Sequence, residues 1–324
     1  MKLSARPKQL VGIVRERVRQ RAGTLRVLWR TRRAQLGLIG IGALFTLAAL
    51  ADVLASPAPS AVRVAPPSAA HWLGTDTLGR DVLACLIHGT RAALATGLVS
   101  AAIVVTVGVA LGAVSGFYGG RLDTFLTRTI EVLLSVPTIL AVLALRGITG
   151  DTRLLDVALV FGVLRWTDVA RMIRAEVLRA RGSDWAVAAH ALGLTPLQVL
   201  SRHVLPDALS PAIVAAPIAM GAAIVVDASL AMLGASEPVG VVTWGALLAG
   251  ARLHREAWWL AVFPGLALFV AVASFNLVGE SLRDALDPHL RSLARPGATK
   301  IEKPPPRTSR PPRGEREPTG EQHL

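Results

Sequence analysis

Six predominantly apolar segments, each about 20 residues long, restrict this chain to one class of fold. An apolar helix of that length spans the hydrocarbon layer of a bilayer, which is about 30 Å thick. The segments cover residues 34–54, 92–114, 122–145, 154–173, 212–233 and 258–278. Only 18% of all residues are charged, whereas about 25% is usual in a soluble protein. The sequence therefore predicts an all-α polytopic membrane protein with six transmembrane helices.

The basic residues set the predicted orientation of these spans. Residues 1–33 are strongly basic, contain one acidic residue, Glu16, and directly precede the first apolar segment. Cytoplasmic segments of membrane proteins carry the excess of arginine and lysine, so we expect both termini in the cytoplasm. A secretory signal peptide is the alternative for this region, but its apolar part is normally about 7–15 residues long. Because segment 34–54 is longer, an uncleaved anchor is expected.

The net charge of +13 also bears on the partners of the chain. In a soluble protein it would favour nucleic acid, but here the basic residues flank the apolar segments. We therefore predict contact with membrane lipid and no nucleic-acid partner. The predicted divisions are a basic cytoplasmic segment (1–33), the first transmembrane helix (34–55), an external linker with an interfacial segment (56–91), a five-helix core (92–292) and a disordered cytoplasmic tail (293–324).

Three polar residues, Glu131, Asp227 and Asn276, lie inside predicted spans. A charge at the bilayer centre costs about 2.5–3.5 kcal/mol on insertion scales, so such residues face protein or a water-filled path. They are candidate residues of a translocation path. For Glu131 the alternative is a structural ion pair with Arg128, three residues earlier. Pairing with a second subunit is the alternative for all three.

The longest predicted cytoplasmic connection, residues 183–211, reads as two short helices with a glycine between them, and is called the hairpin below. Asp184 is expected to cap the first helix, and Gly193 lies where helices commonly end in a left-handed residue. The second helix begins with the capping-box pattern Thr-Pro-Leu-Gln at 195–198. Pro206 is expected to end it.

Each helix of the hairpin has apolar residues at helical spacing. The first set is Trp185, Ala188, Ala189 and Leu192, and the second is Leu197, Leu200 and Val204. A helix–glycine–helix element in a basic protein can be a DNA-reading helix-turn-helix. A DNA reader needs a soluble recognition domain, however, whereas both ends of this hairpin are tethered to predicted spans. Docking of a cytoplasmic partner is therefore the favoured interpretation.

No nucleotide-binding or catalytic motif accompanies these segments. The sequence lacks the G-x-x-x-x-G-K-[ST] pattern whose backbone amides hold ATP phosphates. It also lacks a metal-ligand cluster and a Ser/His/Asp arrangement in a supporting context. The single cysteine, Cys85, excludes an intramolecular disulfide. The chain is expected to be a non-enzymatic subunit with no metal or cofactor of its own.

The hairpin resembles the coupling loop of ABC-importer permeases, which reads Glu-Ala-Ala, three residues, Gly, nine residues and then Ile-x-Leu-Pro. The matching residues are Ala188, Ala189, Gly193, Leu205 and Pro206. Val187 stands in place of the glutamate, and His203 stands in place of the isoleucine. A histidine at that position is common in the peptide-transporting branch of the family.

Other stretches resemble the second permease of dipeptide, oligopeptide and nickel importers, and the similarity covers about residues 30–292. They are GTDTLGRDVL (74–83), LLSVPTILAV (133–142), ASLAMLG (228–234), WWLAVFPGLALF (258–269) and LRDALDPHLR (282–291). The chain departs from the family in the outer loop SEPVGVVTWG (236–245). The family pattern has a longer, proline-containing loop at this place.

The resemblance implies the type I ABC-importer permease fold in a bacterial inner membrane, with a cytoplasmic coupling-helix hairpin. It implies as partners a homologous permease subunit, two cytoplasmic ATPases that bind ATP and Mg²⁺, and an extracytoplasmic substrate-binding protein. The residues implied in coupling are Asp184, Val187, Ala188, Ala189, Gly193, His203, Leu205 and Pro206. Di- or oligopeptides are the first substrate class, and nickel or another small solute is the alternative. A stand-alone secondary transporter is a remoter alternative, since the inverted repeats typical of that class are not evident.

Overall fold

The computed structural model describes residues 31–60, 62–149, 154–234 and 241–286, which are predominantly helical. The helices are α1 (Arg32–Leu54), α2 (Val82–Tyr118), α3 (Gly120–Leu134), α4 (Thr138–Thr149), α5 (Leu154–Arg181), α6 (Asp184–Ala191), α7 (Pro196–Val199), α8 (Leu205–Ala208), α9 (Ser210–Met232), α10 (Trp244–Leu253) and α11 (Trp259–Leu286). The predicted all-α class is confirmed for this part of the chain. The predictions for residues 1–30 and for the tail at 293–324 lie outside it.

Four of the described helices, α1, α2, α9 and α11, are long and apolar enough to cross a membrane. The bent pair of α3 and α4 can supply a fifth span, so the chain is a multi-pass membrane protein. Helix α5 contains the predicted span 154–173, but it carries too many charged residues to be identified as a membrane span from its composition. Its interrupting residues are Asp156, Arg165, Asp168 and Arg171. Length and composition of the described helices alone thus account for fewer than the six predicted spans.

The predicted third span, 122–145, is not one straight helix. Helix α3 ends at Leu134, α4 begins at Thr138, and the two helices are bent by 79° relative to each other. Pro137 explains the break because it has no N–H to donate. Its ring also disfavours the helical conformation at the preceding residue, Val136. The polar part of the segment, in α3, is thereby separated from the apolar part in α4.

Helices α2 and α5 approach each other closely along a ridge of glycines. Gly108, Gly112 and Gly116 follow one another at intervals of four residues, so they share one face of α2. A Cβ atom added at Gly112 would lie 2.5 Å from the carbonyl oxygen of Ala170, and one at Gly116 would lie 2.7 Å from that of Arg174. Small residues permit this backbone approach, which supplies van der Waals packing where lipid removes the hydrophobic driving force.

Helix α1 lies against α11 and is tied at its end to α2. Gly37 faces the backbone of Ser274 on α11. The guanidinium of Arg91 on α2 donates from Nε to the carbonyl oxygen of Ala48 at 2.5 Å and from Nη1 to Asp52 at 2.9 Å. Arg91 thus fixes the last two turns of α1 against α2 through a backbone carbonyl and a side-chain carboxylate.

The connection between α1 and α2 folds against the start of α11. The carboxylate of Asp76 accepts hydrogen bonds from the backbone N–H groups of Leu78 and Arg80, each at 2.8 Å, and from Arg80 Nε at 2.7 Å. The indole N–H of Trp259 donates to the carbonyl oxygen of Thr75 at 3.1 Å. These bonds give the connection a fixed shape at one end of the helix bundle.

Candidate functional site

The hairpin starts directly after α5 and leads into α9, so a force on it acts on both helices. Helix α6 begins at Asp184, because the carbonyl oxygen of Ser183 accepts hydrogen bonds from the backbone N–H groups of Ala186 and Val187 at 3.0 and 3.1 Å. Ser183 therefore occupies the cap position, and the prediction that Asp184 is the cap was wrong by one residue. Asp184 still lies in the first turn, where a negative charge favours the helix dipole.

Gly193 forms the turn between α6 and α7 with a φ of +83°, as the sequence predicts. The N–H of Leu194 donates to the carbonyl oxygen of Ala189 at 3.3 Å, a bond that commonly closes a helix after a left-handed glycine. A Cβ atom added at Gly193 would meet nothing within 4 Å. The requirement for glycine here is consequently one of backbone conformation rather than of space.

The predicted capping box at the start of α7 is confirmed. The N–H of Thr195 donates to Gln198 Oε1 at 3.0 Å, and the N–H of Gln198 donates to Thr195 Oγ1 at 3.3 Å. Pro196 lies in the first turn, where its missing N–H costs no helical hydrogen bond. This local network fixes where the second helix of the hairpin begins.

The chain stays helical through Pro206, so the prediction that this proline ends the helix was wrong. Between α7 and α8, Leu200–Val204 forms a wider π turn, after which the N–H of Leu205 donates to the carbonyl oxygen of Leu200, five residues earlier. In a regular α-helix the proline ring clashes with a carbonyl one turn before it. The wider turn removes that conflict and lets the backbone continue into α8.

One face of the hairpin is buried against the helix bundle. Its buried residues are Ala186, Ala189, Val199, Leu200, Val204 and Ala208. They belong to one apolar cluster with Phe117 at the end of α2 and with Ile173 and Val177 on α5. This face differs from the predicted apolar sets, in which Ala188, Leu192 and Leu197 are in fact exposed. Ala186 and Ala189 are buried because this face of α6 packs on α5. The spacing of apolar residues in the sequence does not show that these two alanines, and not Ala188, are buried.

The hairpin also exposes large apolar side chains. Val187, Leu192 and Leu197 are 60%, 80% and 65% exposed, respectively. Full burial of such a side chain contributes about 1.5–3 kcal/mol, so a partner that covers these three gains substantial free energy. Since other residues of the hairpin already hold it to α2 and α5, this exposed set remains available for a partner.

The eight residues predicted for coupling occupy two parts of the hairpin. Asp184, Val187, Ala188 and Gly193 are exposed on α6 and its turn, and Ala189 is buried there. His203, Leu205 and Pro206 are partly buried in the π turn and in α8, next to the start of α9. The structure therefore separates an exposed group of residues from a group at the base of the hairpin.

An ion pair that no local sequence pattern indicates joins the helices next to the start of the hairpin. Arg174 of α5 donates from Nε and Nη2 to the two carboxylate oxygens of Asp123 in α3, at 2.5 and 2.7 Å. The hydroxyl of Ser115 in α2 donates to the same carboxylate. Arg181, at the end of α5, donates to the carbonyl oxygen of Phe117 in α2 at 2.6 Å. These bonds connect α2, α3 and α5 just before the hairpin begins.

The three predicted path residues lie on three different helices, and no hydrogen bond or ion pair in the described ranges joins any two of them. Glu131 of α3 accepts from Arg128 Nη1 at 2.8 Å, so the ion pair expected as its alternative is present, on an exposed surface. Asn276 of α11 is exposed. Asp227 of α9 is partly buried, and no described residue pairs with it.

Comparisons with known proteins agree on one family. Residues 108–292, which include the hairpin and the glycine ridge, match the family described as binding-protein-dependent transport system inner membrane component. The chain is 32% identical over 270 residues to the dipeptide transport system permease protein DppC of Alkalihalophilus pseudofirmus, an alignment that covers 82% of this chain and 88% of the relative.

Two further relatives carry names of related transport systems. The chain is 35% identical over 240 residues to the probable D,D-dipeptide transport system permease protein DdpC of Escherichia coli, covering 72% of this chain and 80% of the relative. It is 37% identical over 227 residues to the glutathione transport system permease protein GsiD of Pectobacterium atrosepticum, covering 70% of this chain and 75% of the relative.

Proposed function

The chain belongs to the family of binding-protein-dependent transport system inner membrane components, and from this premise we propose that it is the permease subunit of an ATP-driven importer of di- or oligopeptides. The names of the relatives support peptide as the substrate class. Two are named for dipeptides and one for glutathione, which is itself a tripeptide. In this proposal the chain forms half of a translocation pathway, and a homologous permease forms the other half.

The proposed topology has six spans, made by α1, α2, the α3–α4 pair, α5, α9 and α11. Counting α5 is supported by its close packing along α2. Three of its charged residues are also paired with one another, since Arg165 and Arg171 both pair with Asp168, at 2.9 and 3.1 Å. Six spans give the hairpin and both termini the same side, which the basic residues identify as the cytoplasm.

The exposed apolar residues Val187, Leu192 and Leu197 are the observation that carries the proposal. An element fixed to the bundle by one face and apolar on its exposed residues suits a groove on a cytoplasmic ATPase. Two such ATPases would bind ATP and Mg²⁺, because this chain lacks a phosphate-binding loop. Their closure would displace the hairpin and, through α5 and α9, switch the bundle between inward-open and outward-open states.

The residues of the hairpin take distinct parts in this proposal. The small side chain of Ala188 lets the partner groove approach the backbone of α6. Asp184 presents a negative charge at the edge of that groove. Ala189 holds α6 to the bundle, and Gly193 sets the turn. The residues at the base, His203, Leu205 and Pro206, transmit displacement into α9.

The pathway candidates differ in what they offer. Asp227 and Asn276 are proposed to line the pathway as single polar groups. Glu131 would line it only as an ion pair with Arg128, since the two are joined at 2.8 Å. The folded connection between α1 and α2 lies beyond the outer ends of the proposed spans, where a substrate-binding protein would dock.

The proposal is tested by extracting the tagged chain gently from its native membrane and identifying the proteins that co-purify. We expect a second permease of this family and one or two ATPases with phosphate-binding loops. Recovery of the chain alone or as a homo-oligomer would contradict the proposal and would favour a stand-alone transporter. Uptake of dialanine by the reconstituted complex then tests the substrate class, and selective uptake of nickel instead would contradict it.

A further inference from the structure

Asp227 is an acidic residue inside an apolar helix, set among buried neighbours. One turn before it, Ala223 and Ile224 are buried, and one turn after it, Leu230 and Ala231 are buried. Asp227 itself is only partly buried. Asp227 therefore lies on the packed side of α9, and part of its side chain remains exposed to a ligand or to another subunit.

The described part of the chain supplies no cation for Asp227. The sequence has no lysine between residues 31 and 286. The arginines with a carboxylate partner are Arg80 with Asp76, Arg91 with Asp52, Arg128 with Glu131, Arg165 and Arg171 with Asp168, Arg174 with Asp123, and Arg179 with Glu176. Each acidic side chain in those pairs has an arginine partner within the chain, whereas the described residues form no ion pair with Asp227.

A polar group on α2, the helix that packs beside α9, also lacks a partner among the described residues. The hydroxyl of Thr96 on α2 is buried and makes no hydrogen bond to any described residue. The next residue, Gly97, packs against Met220 and Ile224 of α9, the latter one turn from Asp227. Inside a membrane protein an unsatisfied polar group is costly, so its persistence points to a ligand or a partner that satisfies it.

We propose that Asp227 is a binding residue for the α-ammonium group of a peptide in transit, with the unsatisfied hydroxyl of Thr96 on the neighbouring helix α2 as a further polar group. An ammonium group has three N–H donors and a positive charge, and a carboxylate accepts such hydrogen bonds strongly. Because Asp227 is only partly buried, its carboxylate is accessible to the ammonium group of a substrate that binds and leaves. This inference rests on the proposed function, since it assigns the substrate of that pathway to a residue.

The test uses the complete transporter in proteoliposomes with its ATPases and its binding protein. The measured quantity is the amount of radiolabelled dialanine taken up per ATP hydrolysed. Asp227→Asn keeps the size and removes the charge, so we expect this ratio to fall by about tenfold, and Asp227→Glu should restore most of it. The matched control is Asp52→Asn in α1, an exposed acidic residue that has a partner, and it should leave the ratio unchanged.

Two results would overturn the site while leaving the proposed function standing. An unchanged ratio in Asp227→Asn would show that the charge does not act on the peptide. Loss of the second permease from purified Asp227→Asn complexes, with recovery in Asp227→Glu, would show that Asp227 instead pairs with a cation of that subunit. Failure of the wild-type complex to take up dialanine would contradict the peptide function itself, and the site with it.

Discussion

Arg174 and Asp123 form a bidentate ion pair that joins α5 to α3, with N–O distances of 2.5 and 2.7 Å. Ser115 of α2 donates to the same carboxylate, so three helices meet at one acidic side chain. The hairpin follows shortly after this point on α5. In the proposed mechanism a displacement of the hairpin therefore moves the ends of three helices together rather than bending α5 alone.

Removal of the acidic partner should weaken the bundle at this point. We expect Asp123→Ala to lower the free energy of unfolding by about 2 kcal/mol, because it leaves the partly buried Arg174 without its charged acceptor. The measurement is the unfolding of the detergent-solubilised protein. The control is Glu176→Ala, which breaks a more exposed pair with Arg179 and should cost about 0.5 kcal/mol or less. Equal losses of unfolding free energy in the two variants would show that the pair of Asp123 with Arg174 does not hold the helices together.

Local features of the hairpin could be predicted from the sequence because neighbouring residues determine them. Gly193 and the capping box at 195–198 each depend on only a few consecutive residues, and both were identified correctly. The ion pair of Asp123 with Arg174 could not be predicted in the same way. Its partners are 51 positions apart, and no local pattern indicates which acidic and basic residues will meet.

The remaining features differ in how far the sequence indicates them. The glycine ridge on α2 has a sequence signal, the G-x-x-x-G-x-x-x-G repeat at 108–116, which is typical of close helix contacts in membranes. The choice of Ala186 and Ala189 as the buried face of α6 follows from the position of α5, which the sequence does not give. Pro206 normally signals the end of a helix, but the π turn before it allows the helix to continue.

Close approach of α2 and α5 should make Gly112 intolerant of even one added methyl group. We expect Gly112→Ala to reduce the free energy of unfolding by about 1–3 kcal/mol, since the new Cβ would lie 2.5 Å from the backbone oxygen of Ala170, which cannot rotate away. Thermal unfolding in detergent measures the effect. Gly265→Ala in α11 is the control because an added Cβ there meets nothing within 4 Å. A Gly112→Ala variant as stable as this control would disprove the close contact.

Substitution of Gly193 should separate membrane insertion from coupling. A β-branched residue is strained at a φ of +83°, so Gly193→Val should distort the hairpin while leaving the spans inserted. We expect this variant to lose the ATP hydrolysis that the loaded binding protein stimulates. Gly193→Asn should retain most of it, because asparagine tolerates the left-handed conformation. Normal stimulated hydrolysis by Gly193→Val would show that the turn has no part in coupling.

The exposed apolar residues of the hairpin should determine whether the ATPases remain bound. Leu192 is 80% exposed, so Leu192→Asp should leave the fold of the chain intact while placing a charge where the proposed partner groove is apolar. We expect at least a tenfold weaker ATPase association, about 1.4 kcal/mol or more, measured by the ATPase recovered with the tagged chain. Leu253→Asp on α10 is the matched control, because Leu253 is 72% exposed and lies after the far end of α9 from the hairpin. If the two variants retained equal amounts of ATPase, the hairpin would not be the docking element.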